Sequence, residues 1–322
     1  MSIKNDLLSA LLDSKDYISG ESLSKKLFCS RNAVWKAVNA LRAEGYEIEA
    51  RSARGYRLNT ERLPLSAAAI NGFLGESSNG LDIIVLDTVA STNDYVKELA
   101  AKGAPEGTVV IASHQTKGKG RLGRSFYSPG GSGLYLSILL RPKLSLSECL
   151  LITTSAAVAV ADAIDRATGK QAMIKWVNDV FLNGKKICGI LTEASTDIEV
   201  GGLSWAVVGI GINLTEPDGG FPDEIKDIAG AVFDRGENVP AAELAAALIK
   251  RFFELYGGIS DRSFLESYRQ RSILLGKKVR VIRGGKQIPA QALEIDRDCR
   301  LFVKYDTGET EWLSSGEVSV KL

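Results

Sequence analysis

Of the eight residues from Lys117 to Arg124, all but Leu122 are glycine or cationic. Gly118, Gly120 and Gly123 remove side chains and permit positive φ, which lets backbone NH groups turn toward an anion. Lys117, Lys119, Arg121 and Arg124 supply charge beside them. The chemistry indicated is phosphate binding. A flexible basic surface loop is the competing reading, because a glycine-spaced motif alone is weak evidence. The pattern is neither a Walker A loop nor a dinucleotide fingerprint: it lacks the Gly-Lys-Ser/Thr ending, and no helix-like run follows it.

Such a loop needs walls, and apolar runs on either side provide them. Val109 to Ala112 and Leu134 to Leu140 read as buried strands, so residues 113 to 135 form a long excursion between them. Upstream, Ile83 to Leu86 reads as a strand and Thr92 to Lys102 as a helix. Downstream come a helix from Ser147 to Thr168 ended by Gly169 and a strand from Met173 to Val177. Asn183-Gly184 is a hairpin turn joining Val180-Phe181-Leu182 to the run Ile187 to Leu191, and Trp205 to Ile212 adds a further strand. Hairpins mixed with helices predict an α/β (α+β) domain with a mixed sheet. Helices follow at Ala241 to Tyr256 and Arg262 to Arg271. Past Gly276 five short strands, near 279–282, 291–295, 301–305, 311–313 and 318–321, predict a small β module.

The front of the chain differs in kind. Leucines 7, 8, 11 and 12, then Leu23 and Leu27, then Ala33, Val34, Ala37, Val38 and Leu41 mark three short helices, the third capped by Ser30. Gly45 to Leu58 resembles a hairpin wing. Arg31, Asn32, Trp35, Lys36 and Asn39 fall away from the apolar stripe, where they can reach base edges and phosphates. Between Lys25 and Arg57 there are eight basic residues against three acidic, whereas the whole chain has a formal net charge of only +1. A helical interaction module is the alternative to a DNA-binding winged helix-turn-helix here; motif geometry and charge both favour DNA.

Composition closes off other classes. With 45% hydrophobic residues, 322 residues suffice for two or three domains with sizeable cores. Cys29, Cys149, Cys188 and Cys299 are far apart, in neither disulfide nor zinc spacing, which fits a reducing cytoplasm. The single histidine, His114, argues against multi-histidine metal sites and reads as a local structural residue. No signal peptide or membrane span is expected.

Taken with Ser91-Thr92-Asn93, Gln115, Lys175-Trp176-Val177-Asn178-Asp179, Lys185-Lys186-Ile187-Cys188-Gly189 and Gly209-Ile210-Gly211-Ile212-Asn213, the run Gly118-Lys119-Gly120-Arg121-Leu122-Gly123-Arg124 resembles the biotin protein ligases. The front segment resembles the DNA-binding domain of the bifunctional members, the biotin operon repressors. Two departures stand out: Val177 where the family commonly has Pro, with extended character expected to persist, and Lys119 where Arg is common.

The resemblance implies three domains: a winged helix-turn-helix over 1–63, a central biotin and ATP domain over 66–272, and an SH3-like barrel over 275–322. It implies activation of biotin by ATP and Mg²⁺ to biotinyl-5'-AMP, transfer to a lysine of a biotin carboxyl carrier protein, and repression at operator DNA by a ligand-dependent homodimer. Biotin is thus both substrate and precursor of the co-repressor. Arg121, Lys186 and Asp179 would carry catalysis. Ser91, Thr92, Asn93, Gln115, Lys119 and Gly120, with Arg121 and Lys186, would bind biotin. Gly118, Arg124, Phe126, Asn178 and Asn213 would serve the nucleotide, and Ser30, Arg31, Asn32, Lys36 and Asn39 the DNA; metal ligands stay unassigned. Read without the family, Ser91-Thr92-Asn93 is an ordinary N-cap and Lys186 a solvated hairpin lysine. A lipoate ligase shares the architecture, and a non-catalytic biotin sensor would keep the pocket while losing its cations.

Overall fold

Serine sets the helix boundaries at the front of the computed structural model, which describes residues 3–14, 16–60, 63–145, 148–197 and 202–320. Helix α1 (Ile3–Leu12) buries Leu7, Leu8 and Leu11. Helix α2 (Gly20–Lys26) starts where Ser19 accepts from the Ser22 amide, and α3 (Arg31–Ala43) where Ser30 accepts from the Ala33 amide. Each cap satisfies an NH that the helix leaves open. Val34, Ala37, Val38 and Leu41 of α3 are buried, while Arg31, Asn32, Trp35 and Lys36 are exposed and Asn39 is half-buried. Strands β1 (Ile48–Arg51) and β2 (Gly55–Leu58) pair as the wing.

A helix absent from the sequence expectation follows, α4 (Ala67–Leu74), capped by Ser66. Eight residues rich in alanine give too short a stripe for periodicity to reveal. It packs on α1, with Leu12 lying over Gly72 where a Cβ would come within 2.3 Å.

The central sheet comprises β3 (Asp82–Val89), β4 (Thr108–Gln115), β5 (Gly133–Leu140), β6 (Met173–Lys175), β7 (Asp179–Leu182), β8 (Lys185–Asp197) and β9 (Gly202–Asn213), ordered β3-β4-β5-β9-β8-β7-β6. The pair β3 and β4 is parallel, joined by α5 (Thr92–Ala101); the other pairings are antiparallel, so the sheet is mixed as expected. Side chains alternate across it. One face packs Val110, Leu139 and Val207 on Val96 and Ala100 of α5. The other packs on α6 (Cys149–Thr168), backed by α7 (Ala241–Gly257) and α8 (Leu265–Gln270). Gly169 takes the left-handed conformation that ends α6, and Asn183 and Gly184 both have positive φ, as a tight hairpin requires.

Several boundaries differ from expectation for physical reasons. Pairing with β3 carries β4 on to Gln115, so the glycine excursion covers 116–132 rather than 113–135. Strand β6 stops at Lys175, and residues 176–178 turn the chain into β7 through a cis Trp176–Val177 peptide, so Val177 stands in a turn instead of an extended strand. Left-handed Arg262 delays α8 to Leu265. Ser147 and Lys321, expected at the ends of the long helix and last strand, lie outside the described residues.

The C-terminal strands are β10 (Lys278–Arg283), β11 (Lys286–Ile295), β12 (Leu301–Tyr305), β13 (Thr310–Leu313) and β14 (Glu317–Ser319), ordered β13-β12-β11-β10-β14. The two edge strands are joined by residues 314–316 alone. That link reaches roughly 14 Å, whereas a flat five-stranded sheet is about 19 Å across. The sheet therefore curls into the expected small barrel. Among the described residues no helix is long and apolar enough to cross a membrane.

Candidate active site

The glycine loop folds back on itself. Gly118 O accepts from the Phe126 amide, the Gly120 amide donates to Arg124 O, and Lys119 bridges Ser125, leaving Arg121–Gly123 as the tip. Gly118 is required at the base: a Cβ there would lie 2.4 Å from Phe126 O. The loop thus closes over the α5 face of the sheet, and between them is a cavity of about 160 Å³.

Its floor is bare backbone. Gly189 pairs with Gly211 and Leu191 with Gly209 across β8 and β9, so three glycines share one face of adjacent strands. Over Gly211 and Gly189 lies the Phe126 ring, which a Cβ at Gly211 would meet at 2.6 Å. Beyond Gly209 stands Asn93.

One wall is a set of neutral polar groups anchored at its far end on Glu193. Ser91 caps α5, and Thr92 gives Gln115 Oε1 two hydrogen bonds, from its amide at 2.9 Å and its hydroxyl at 3.1 Å. Gln115 Nε2 donates to Ser128, while the single Ser137 hydroxyl hydrogen is shared between Thr92 Oγ1 at 2.8 Å and Asn93 Oδ1 at 2.6 Å. Asn93 Nδ2 donates in turn to Glu193. The N-cap and pocket readings of Ser91-Thr92-Asn93 are therefore compatible: Ser91 caps while Thr92 and Asn93 build the buried network.

The opposing groups are charged. Lys186 Nζ lies 2.7 Å from Asp179 Oδ1 as an ion pair, and that buried oxygen has no hydrogen-bond partner among the described residues. Arg121 donates through Nη1 to Asn178 Oδ1 at 2.9 Å and through Nη2 to Gly316 O of the C-terminal barrel at 3.1 Å. Lys119 pairs with Asp94 at 2.7 Å. Partial burial opposes ionisation of Asp94, but hydrogen bonds from Lys119 and Lys97 outweigh it and hold the carboxyl below its ordinary value. Arg124 and Lys175 also line the cavity. Burial raises the Cys188 thiol, so it offers no nucleophile. The arrangement can hold an uncharged hydrogen-bonding group at one wall and phosphates at the other.

Most of the residues singled out from the sequence meet here: Ser91, Thr92, Asn93, Gln115, Lys119, Gly120, Arg121, Arg124, Phe126, Asn178, Asp179 and Lys186. Gly118 and Asn213 do not line the cavity. Asn213 Nδ2 instead donates to Gly230 O and ties down the following loop. His114 faces Thr88 outside the cavity, in keeping with a structural role. Ser30 caps α3 and Arg31, Asn32, Lys36 and Asn39 lie on it; none of them lines the cavity. Among the lining residues, Lys175, Trp176 and the three floor glycines were named in the sequence only as motif positions without a role, and Gly316 and Val318 were not named at all. Glycines at alternate positions of neighbouring strands were the available signal for the floor. Nothing local marks Gly316 or Val318, which arrive from another module.

Comparison with known proteins agrees along the length of the chain. Residues 85–213 match the model of the biotin/lipoate A/B protein ligase family, residues 4–57 an HTH domain, and residues 274–321 the biotin protein ligase C terminal domain. The bifunctional ligase/repressor BirA of Bacillus subtilis is 36% identical over 314 residues, 95% of each chain. The protein of that name from Escherichia coli is 27% identical, over 98% of this chain and 96% of its own. The biotin protein ligase of Aquifex aeolicus, solved with biotin and ATP, superposes with a TM-score of 0.62 at 29% identity, covering 74% of this chain and 97% of that one. With its cavity, its front helices and its barrel matched in one order by relatives of nearly equal length, the chain belongs to the biotin protein ligase family, among the bifunctional ligase/repressors.

Proposed function

We propose that the cavity joins biotin to ATP as biotinyl-5'-AMP, and that the chain passes the biotinyl group to one lysine of a biotin carboxyl carrier protein. The carrying observation is that Lys186 and Arg121 share one cavity with the neutral network of Thr92, Asn93 and Gln115. Biotin's ureido ring donates and accepts hydrogen bonds while its bicycle and tail are apolar. Ser91, Thr92, Asn93 and Gln115 suit the ring, and the glycine floor with Leu191 suits the rest.

In the first step a biotin carboxylate oxygen bonds to the α-phosphorus as the bond to pyrophosphate breaks. Both reactants are anions, so the chain's task is charge. Lys186, Arg121, Lys119 and Arg124 offset repulsion and stabilise the phosphoryl oxygens. Phe126 offers a ring to adenine, while Gly118 and Asn213 shape the loops around the nucleotide. In the second step the carrier lysine amine attacks the carbonyl carbon, AMP leaves, and Asp179, with Asn178 beside it, orients the amine and takes its proton.

Mg²⁺ fits this donor set in one way. Among the described residues no three His, Cys, Asp or Glu side chains group as metal ligands, so the ion would be held chiefly by ATP phosphates with Asp179 as the chain's carboxylate. Bound there, it would neutralise phosphate charge.

The front domain, in this reading, binds operator DNA through Ser30, Arg31, Asn32, Lys36 and Asn39, as a homodimer formed when biotinyl adenylate is bound, in the cytoplasm. Presenting the protein with biotin, Mg·ATP and an apo carrier domain tests the ligase role. A mass increase of one biotinyl group on a single carrier lysine supports it; an unmodified carrier, with lipoate substituting productively for biotin, would transfer the site to the other branch of the family.

A further inference from the structure

The turn 176–178 presents Asn178 and leads into Asp179, so its placement sets the partners of both principal cations. It is tied down from behind. The Tyr268 hydroxyl, on α8, donates to Val177 O at 3.1 Å. Trp176 Nε1 donates to Cys299 O at 2.8 Å, in the turn between β11 and β12. Asn178 itself is clamped from the sheet side, its Nδ2 donating to Ile190 O and its own carbonyl accepting from the Ile190 amide, both at 2.9 Å.

Tyr268 is fully buried, at 0% exposure. A buried phenol hydroxyl is costly unless paired, and phenylalanine would fill the same space without that cost. What tyrosine adds here is one directed hydrogen bond, to the carbonyl beside the residue that holds Arg121. Burial keeps the Tyr268 phenol well above its ordinary value, so the oxygen retains its proton and remains a donor. We infer that Tyr268 is a positioning residue for biotin activation: through Val177 O it fixes the 176–178 turn, and thereby the Asn178 amide that aims Arg121 into the cavity. The inference rests on the activation chemistry proposed above.

Tyr268→Phe removes the bond and little volume. Single-turnover formation of biotinyl adenylate should slow about 10-fold, with apparent affinities for biotin and Mg·ATP within about 2-fold and cooperative unfolding retained. The decisive arm is a double-mutant cycle with Asn178→Ala. If Tyr268 acts through the turn, the same substitution should cost less than about 2-fold in the Asn178→Ala background. A wild-type rate in Tyr268→Phe, or an undiminished 10-fold loss in the double variant, overturns the positioning role. Should Tyr268→Phe fail to fold, Trp176→Phe, which releases the other tie, is put through the same cycle and judged by the same outcomes. Absence of adenylate from the wild-type protein would instead sink the activation reading and be recognised before any variant is compared.

Discussion

Lys186 stands at the cavity with its charge already matched by Asp179, so incoming phosphates share an ammonium held in place rather than recruiting one from solvent. Removing it should slow adenylate formation by about 100-fold or more, because a preorganised cation is lost where negative charge develops. Pre-steady-state measurement on Lys186→Ala, with cooperative thermal unfolding as a control on the fold, checks this; an unchanged rate removes Lys186 from the chemistry. Arg121 has a second task. Its guanidinium spans Asn178 and Gly316 O, linking loop to barrel over the cavity mouth. Arg121→Gly should untie that cover, speed escape of preformed biotinyl adenylate, and label exposed lysines of bystander proteins. Dissociation at the wild-type rate would contradict the retaining role. Arg121 was legible in the sequence because charge among glycines between apolar runs is conspicuous, whereas Lys186 was legible only through the family resemblance, since alone it reads as a solvated hairpin lysine. Asn213 was legible only as a motif position, and its side chain turned out to be engaged by Gly230 O.

The elements are organised by small residues as much as by apolar ones. A Cβ at Gly209 would stand 2.0 Å from Asn93 Oδ1, so Gly209→Ala must displace the amide that closes the polar wall. A loss of about 1–3 kcal/mol in stability is expected, with biotin affinity falling about 10-fold or more if a hydrogen bond to the ligand is lost. Gly130→Ala is the matched control, since its Cβ would make only ordinary contact, 3.7 Å from His114. Calorimetric titration of biotin into both variants decides: equal affinities would mean that Asn93 does not face the ligand. Turns such as Asn183-Gly184 and Gly169 announced themselves because positive φ selects residue type locally. Helix α4 did not, being too short to show a period, nor did the 176–178 turn, whose shape is held by Tyr268 and Cys299 from distant segments.

At the scale of the whole molecule, front domain and ligand site share one packed body. Helix α1 rests on α4, and buried side chains run without a break from Leu7 and Leu11 through Ile70 to the central core. One recognition helix per chain, on a front segment with only a modest basic excess, rarely gives specific affinity at physiological salt. A dimer reading a palindromic site is therefore expected, formed when biotinyl adenylate is bound beneath the glycine loop. Sedimentation and operator binding should both rise with biotin plus ATP over either no ligand or biotin alone. Arg31→Ala should lose operator binding while ligation continues; identical behaviour in all ligand states would break the coupling. These consequences presuppose that the cavity makes an acyl adenylate. Incubating the purified protein with biotin and Mg·ATP, then extracting small molecules for mass spectrometry, tests that most directly. Biotinyl-5'-AMP is predicted, stoichiometric with the protein and dependent on both substrates; intact ATP, unmodified biotin and no released pyrophosphate after prolonged incubation would contradict it.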